Sequence, residues 1–134
     1  MARGITHYGA FGADTAAGDV LQCDAFQGVP VSLTGTADAI NPYSTSNNYV
    51  VTTAAADAIT LPLPIAGVDD NLSIAIYSAT AYAHSVTLPS AKLASGQALK
   101  TTATLAAFAG AGILLRAWNG TWQQVGSTGT ISYS

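Results

Sequence analysis

The chain has 134 residues, enough for one domain with an arm and for a core without staples, and its single cysteine, Cys23, excludes an intrachain disulfide. Charged residues make up only 8% of it, against roughly 25% in an ordinary soluble domain. Seven Asp, no Glu and four scattered basic residues (Arg3, Lys92, Lys100 and Arg116) leave no basic footprint for nucleic acid.

A composition that is 49% hydrophobic with a net charge of −3 describes a folded chain, not a disordered one. It has little charge to repel other copies, which suits a subunit packed against subunits. No basic-plus-apolar signal segment opens the sequence, and no run is long enough to span a bilayer. The expectation is a chain made in a cytoplasm, with no membrane partner.

In chain order, residues 1–18 show no hydrophobic period. Gly4, Gly9, Gly12 and Gly18 punctuate them, with Tyr8 and Phe11 between. They read as an extended arm whose aromatics dock on a neighbour or on the chain's own body; a frayed terminus is the plainer reading. Residues 20–23 and 29–33 suggest short strands, and Pro30 confines the second to an edge or a strand start. Residues 34–48 carry loop chemistry, with Gly35, Asn41-Pro42 and a Ser44-Thr45-Ser46-Asn47-Asn48 run. The chain divides there into residues 1–48, the arm and short strands, and residues 49–134, the body.

The body opens with a strand at 49–53. Asp57 marks a bend into a strand at 59–63, where Ile59, Leu61 and Leu63 alternate with Thr60 and Pro62. Residues 66–71 form a turn. A strand at 72–77 follows, with Leu72, Ile74 and Ile76 on one face. Residues 78–85 are loop, and residues 86–89 a further strand. Thr60-Leu61-Pro62 and Thr87-Leu88-Pro89 repeat one tripeptide, which suggests two strands that end alike, with Pro closing the ladder. Residues 93–112 could be helix, but Gly96, Gly110 and Gly112 interrupt them and Thr101, Thr102 and Thr104 favour a strand at 98–105, then a turn at 108–112.

The clearest signal is Asn119-Gly120 between two apolar runs. It predicts a two-residue type I′ hairpin, because both central residues need positive φ. Trp118 then lies opposite Thr121, Ala117 opposite Trp122, Arg116 opposite Gln123 and Leu114 opposite Val125. Ile113, Leu115, Ala117, Trp122 and Gln124 share a core face. Leu114, Arg116, Trp118, Thr121, Gln123 and Val125 share the other. That second face mixes Leu, Val and Trp with Arg and Gln, which a partner subunit would explain; a strand buried on both sides of one sandwich is the other reading. Residues 126–129 turn the chain, and residues 130–133 add a last strand or a tail. Strands every 10 to 15 residues, with turns between, predict an all-β body: a small antiparallel β-sandwich, or a jelly-roll-like one, with an extended N-terminal arm.

Residues 49–126 resemble a β-module of tailed-bacteriophage virion proteins, both capsid decoration (cement) proteins and fibre proteins. The residues that carry the resemblance are Tyr49-Val50-Val51, Ile59-Thr60-Leu61-Pro62, Gly67 with Ile74-Ala75-Ile76, Val86-Thr87-Leu88-Pro89, Thr104-Leu105, and the run from Ile113 to Trp122. The resemblance implies a homotrimer on a virion. Fibre proteins are generally long, with repeats or heptads; this chain is short and has no heptads, which favours decoration. The implied partners are the major capsid protein and further copies of the chain. The implied place is the capsid surface after synthesis in the host cytoplasm. Ile5, Tyr8 and Phe11 of the arm are the expected capsid contacts, and Leu114, Arg116 and Trp118 the expected subunit seam. The alternative is a receptor- or glycan-binding module of a tail or head fibre, with a sugar stacked on Trp118 or Trp122.

No catalytic constellation or cofactor motif is expected. Asp69-Asp70-Asn71 lacks the spaced acidic ladder of a calcium loop and reads as a turn. Asp14, Asp19 and Asp24 share no face. His7, His84 and Cys23 have no zinc spacing. No Gly-x-Ser-x-Gly elbow supports a hydrolase, and Gly110-Ala111-Gly112 has no Lys or helix to make a phosphate loop. Asn71-Leu72-Ser73 and Asn119-Gly120-Thr121 are formal glycosylation sequons, idle without a signal peptide.

Overall fold

Strand-forming residues occur here in short runs closed by Gly, Pro, Asn and Asp, so the chain forms many short strands. The computed structural model describes residues 29–44, 46–95 and 98–134. The expected arm, with Ile5, Tyr8 and Phe11, and the expected strand at 20–23 lie outside the described residues.

Among the described residues there are eleven strands and no helix: β1 (Val31–Leu33), β2 (Asn48–Val51), β3 (Ala58–Thr60), β4 (Ser73–Ser78), β5 (Ser85–Thr87), β6 (Leu93–Ser95), β7 (Ala98–Lys100), β8 (Thr102–Leu105), β9 (Gly112–Trp118), β10 (Thr121–Thr128) and β11 (Ile131–Tyr133). One sheet has the order β1-β2-β4-β9-β10-β6-β7 and the other β11-β8-β5-β3. A single apolar core joins them. Tyr49, Ile74, Ile76, Leu115 and Trp122 from the larger sheet cluster with Ile59, Val86 and Leu105 from the smaller. The Trp122 indole is fully buried, and its Nε1–H donates to Pro62 O at 2.8 Å.

The body is all-β, but the expected antiparallel pairing holds for only five of the nine strand pairs. The other four, β1–β2, β2–β4, β3–β5 and β6–β10, are parallel, so both sheets are mixed. From β2 to β5 the chain alternates between sheets, one strand in each. Every return to a sheet therefore runs in the same direction, as in a coil. Tyr49 lies beside Ile76, and Ile59 beside Val86, so one turn takes 27 residues. Residues 36–40 complete an earlier turn by running along β3, with a parallel bridge from Ala39 to Thr60.

The Thr-Leu-Pro repeat follows from this geometry. Thr60 and Thr87 are register partners, and the Leu61 N–H donates to Thr87 O at 2.9 Å as the last rung. Leu61 and Leu88 then both turn into the core. The strand expected at 59–63 ends at Thr60, because Pro62 and Pro64 have no N–H to extend the ladder.

Other expectations need correction. Residues 98–105 are not one strand. β7 belongs to the larger sheet and β8 to the smaller, with a bend at Thr101 that changes sheets, and β6 precedes them as an unforeseen hairpin partner of β7. Residues 126–128 do not turn the chain; they continue β10, and the turn comes at Gly129, whose φ is 81°. β1 is an edge strand, as Pro30 requires, but it pairs with β2. The strand β2 that it pairs with spans residues 48 and 49.

Candidate interaction surface

The β9–β10 hairpin supplies the surface. Asn119 and Gly120 have φ of 47° and 74°, as a type I′ turn demands. Trp118 pairs with Thr121, Ala117 with Trp122 and Arg116 with Gln123, as the sequence predicts. Beyond Gln124 the register shifts by one residue. Leu114 lies opposite Gly126, not Val125, because Val125 is the extra residue of a β-bulge. Ile113, Leu115, Ala117 and Trp122 are buried in the core as expected. Gln124 shares their side half-buried, and accepts a hydrogen bond from the Tyr133 hydroxyl of β11.

The opposite face of β9 is open, so the strand is not buried on both sides among the described residues. Leu114, Arg116 and Trp118 all lie there and all are exposed; the Trp118 side chain keeps 56% of its surface. Register extends this face across the neighbouring strands. Ser73 pairs with Arg116, Ala75 with Leu114 and Tyr77 with Gly112. The exposed ring of Tyr77 and the bulged Val125 add to it. Arg116 carries the only charge that strand register places on this face among the described residues, and its Nε–H donates to Ser73 Oγ at 3.3 Å.

Near the middle lies a shallow groove of about 290 Å³, walled by Tyr77 and Leu114 and floored by Gly112 and Gly126. Gly112 cannot be replaced without displacing backbone: a Cβ there would come within 2.9 Å of Ile76 O and 3.0 Å of Tyr77 Cβ. Gly126 is different. Its Cβ would meet only Leu114 Cβ, at an ordinary 3.8 Å.

One end of the face is held by the turn at 66–71. Asp69 and Asp70 are consecutive, and each accepts hydrogen bonds at this end. The Tyr43 hydroxyl donates to Asp69 Oδ2 at 2.8 Å, and the Ile65 N–H to the same oxygen at 2.6 Å. The hydrogen bond to Asp69 raises the Tyr43 phenol above its ordinary pKa, which keeps it a donor. The Asn119 N–H, next to Trp118, donates to Asp70 Oδ1 at 2.8 Å. These carboxylates act as acceptors for a turn, as the sequence reading has it. Tyr43, Ile65 and Val68 are exposed beside them.

The composition gave no sign of a second feature, a buried polar cluster. His84 is wholly buried. Its Nδ1 accepts the Asp57 N–H at 3.2 Å, and its Nε2 lies 3.0 Å from Thr80 Oγ1. Burial lowers the His84 pKa. Asp57 and His84 stand 27 residues apart, one coil turn; the signal was there only for a reader who knew that period. Among the described residues no three His, Cys, Asp or Glu side chains gather as metal ligands. The chain matches no protein-family model and no curated protein.

Proposed function

We propose that this protein is a structural virion protein that binds the outside of a phage capsid as a homotrimer and reinforces it. The observation that carries the reading is the outer face of the larger sheet, where Tyr77, Leu114, Trp118 and Val125 are exposed around a single Arg. A face so poor in charge is suited to contact with protein more than with water. The 8% charge content and the phage-module resemblance of residues 49–126 point the same way. The chemistry is adhesion: many modest interfaces on a repeating lattice add up through multivalency. Leu114, Arg116 and Trp118 form the subunit seam in this reading, and Ile5, Tyr8 and Phe11 contact the capsid.

Light scattering on the purified chain tests the oligomer, with three times the 13.5 kDa chain mass expected. Arg116→Ala should loosen that assembly; an unaltered native mass counts against the seam. Deletion of residues 2–18 should abolish binding to empty capsids while the body stays folded. Undiminished binding would remove the arm from the reading.

A second reading is favoured by the exposed Trp118 ring, joined through the Asp69–Asp70 turn to Tyr43, which is 63% exposed. It is a fibre module that stacks a sugar on these rings. A glycan affinity lost in Trp118→Ala, with a monomeric native mass, would put this reading first.

A further inference from the structure

Asp57 is chemically unbalanced where it stands. It is 1% exposed, and its Oδ2 is hidden from solvent with no hydrogen-bond partner among the described residues. Its Oδ1 accepts the Asp38 N–H at 3.1 Å. Among the described residues, the titratable groups that face it are His84 and Asp38. His84 offers no positive charge: its Nδ1 accepts the Asp57 N–H, which leaves the ring proton on Nε2 towards Thr80 and the imidazole neutral. Asp38 offers a second carboxylate, whose Oδ2 accepts the Gly35 N–H at 2.8 Å. A buried carboxylate with an empty oxygen, a like-charged neighbour and no cation among the described residues is untenable as an ion.

We propose that Asp57 stands as a neutral acid in the folded chain, its proton on the otherwise unpartnered Oδ2, and that this proton latches residues 36–40 onto β3. Burial is the largest cause and raises the Asp57 pKa; the backbone hydrogen bond from Asp38 lowers it in part, and the charge of Asp38 raises it. The backbone hydrogen bonds around the pair show what is latched. Ala58 N–H donates to Thr36 O at 3.1 Å, Thr60 N–H to Asp38 O at 2.8 Å and Ile40 N–H to Thr60 O at 2.9 Å. Residues 36–40 with β1 are the first coil turn, directly after residues 1–28. Loss of the proton leaves two negative charges side by side and unfastens that turn.

The sign is fixed by linkage. The native acid holds its proton at a pH where the unfolded chain has released it. The stabilisation is complete below the ordinary Asp value. It is lost as pH rises through the raised native value, and stays lost above it. His84 acts in the opposite sense, because its lowered pKa removes stability as pH falls.

The test is thermal unfolding of the full chain from pH 4 to pH 9, wild type against Asp57→Asn. The amide mimics the neutral acid, so the variant should melt several degrees higher than wild type at pH 8 and lose the alkaline fall. A variant that melts lower at pH 8, or added Ca²⁺ that raises the melting temperature of the wild type but not of Asp57→Asn, would overturn the proposal in favour of an ionised carboxylate. Should Asp57→Asn fail to fold, infrared difference spectra of the wild type decide. A protonated carboxyl band that persists above the ordinary Asp value of about 3.9, bleaches on raising the pH further, and moves to lower pH in Asp38→Asn supports the neutral acid. The absence of any protonated carboxyl above that ordinary value refutes it.

Discussion

At the scale of single residues, two glycines on one face make opposite demands. Gly112 lies against the β4 backbone, where an added methyl would press on Ile76 O at 2.9 Å. Gly112→Ala should therefore cost about 1–3 kcal/mol in urea unfolding, as overpacking does. Gly126→Ala adds a methyl at van der Waals distance from Leu114 and should change stability by about 0.5 kcal/mol or less. Nothing in the sequence separates the two, because the atoms that crowd Gly112 belong to a strand some 35 residues earlier. His84 makes a similar point. A histidine in a Ser- and Ala-rich loop reads as surface or core, and this one is wholly buried. Its pKa is lowered, so the unfolded chain binds the proton more readily, and stability falls as pH drops from about 6.5, the ordinary His value, through the native one. Asp57 opposes this in part of the same range. The cleanest measurement is the urea midpoint of Asp57→Asn at pH 7 and pH 5, where the midpoint should be lower at pH 5; equal midpoints would mean that the imidazole can charge in place.

At the scale of elements, local chemistry was legible and long-range direction was not. Asn119-Gly120 specifies its own turn, so the hairpin and its first three residue pairs follow from sequence. The bulge at Val125 depends on how β10 accommodates its neighbours and left no local mark. Parallel pairing was hidden for a related reason: alternation between two sheets is a property of loop paths, and short strands read the same in either direction. The Thr-Leu-Pro repeat was its one visible trace, because two strands in register, one coil turn apart, end against the same core. The turn itself can be tested. Gly120 has φ of 74° and space for a Cβ, so Gly120→Ala suffers only backbone strain, about 1–2 kcal/mol. Loss of stability well beyond that would show that the turn contributes packing as well as conformation.

At the scale of the whole molecule, the outer face has to be weighed against what a stable seam needs. Three strands at about 4.8 Å spacing and seven residues at about 3.3 Å rise give a patch of roughly 14 by 23 Å. That flat area, near 330 Å², is about two-fifths of the roughly 800 Å² per partner of a standard interface. Side-chain relief adds some, and the contiguous exposed end at Tyr43, Ile65 and Val68 adds more. A seam centred on Leu114 must therefore use both the face and this end, and must exclude water at its middle. Leu114→Lys places a second positive charge one position across the strand face from Arg116, within the apolar patch. Exposed in a monomer, that lysine is harmless to the fold; enclosed by a partner, it is a desolvated charge beside a like charge. The far-ultraviolet circular dichroism and melting of an isolated chain should be unchanged, while the proposed trimer should give way to a monomer in native mass. A Val68→Asp change at the far end should weaken the assembly less, because rim charges stay hydrated. If Leu114→Lys keeps the native mass of wild type, the sheet face is open in the assembly, and Trp118 and Tyr43 remain free to meet a ligand instead.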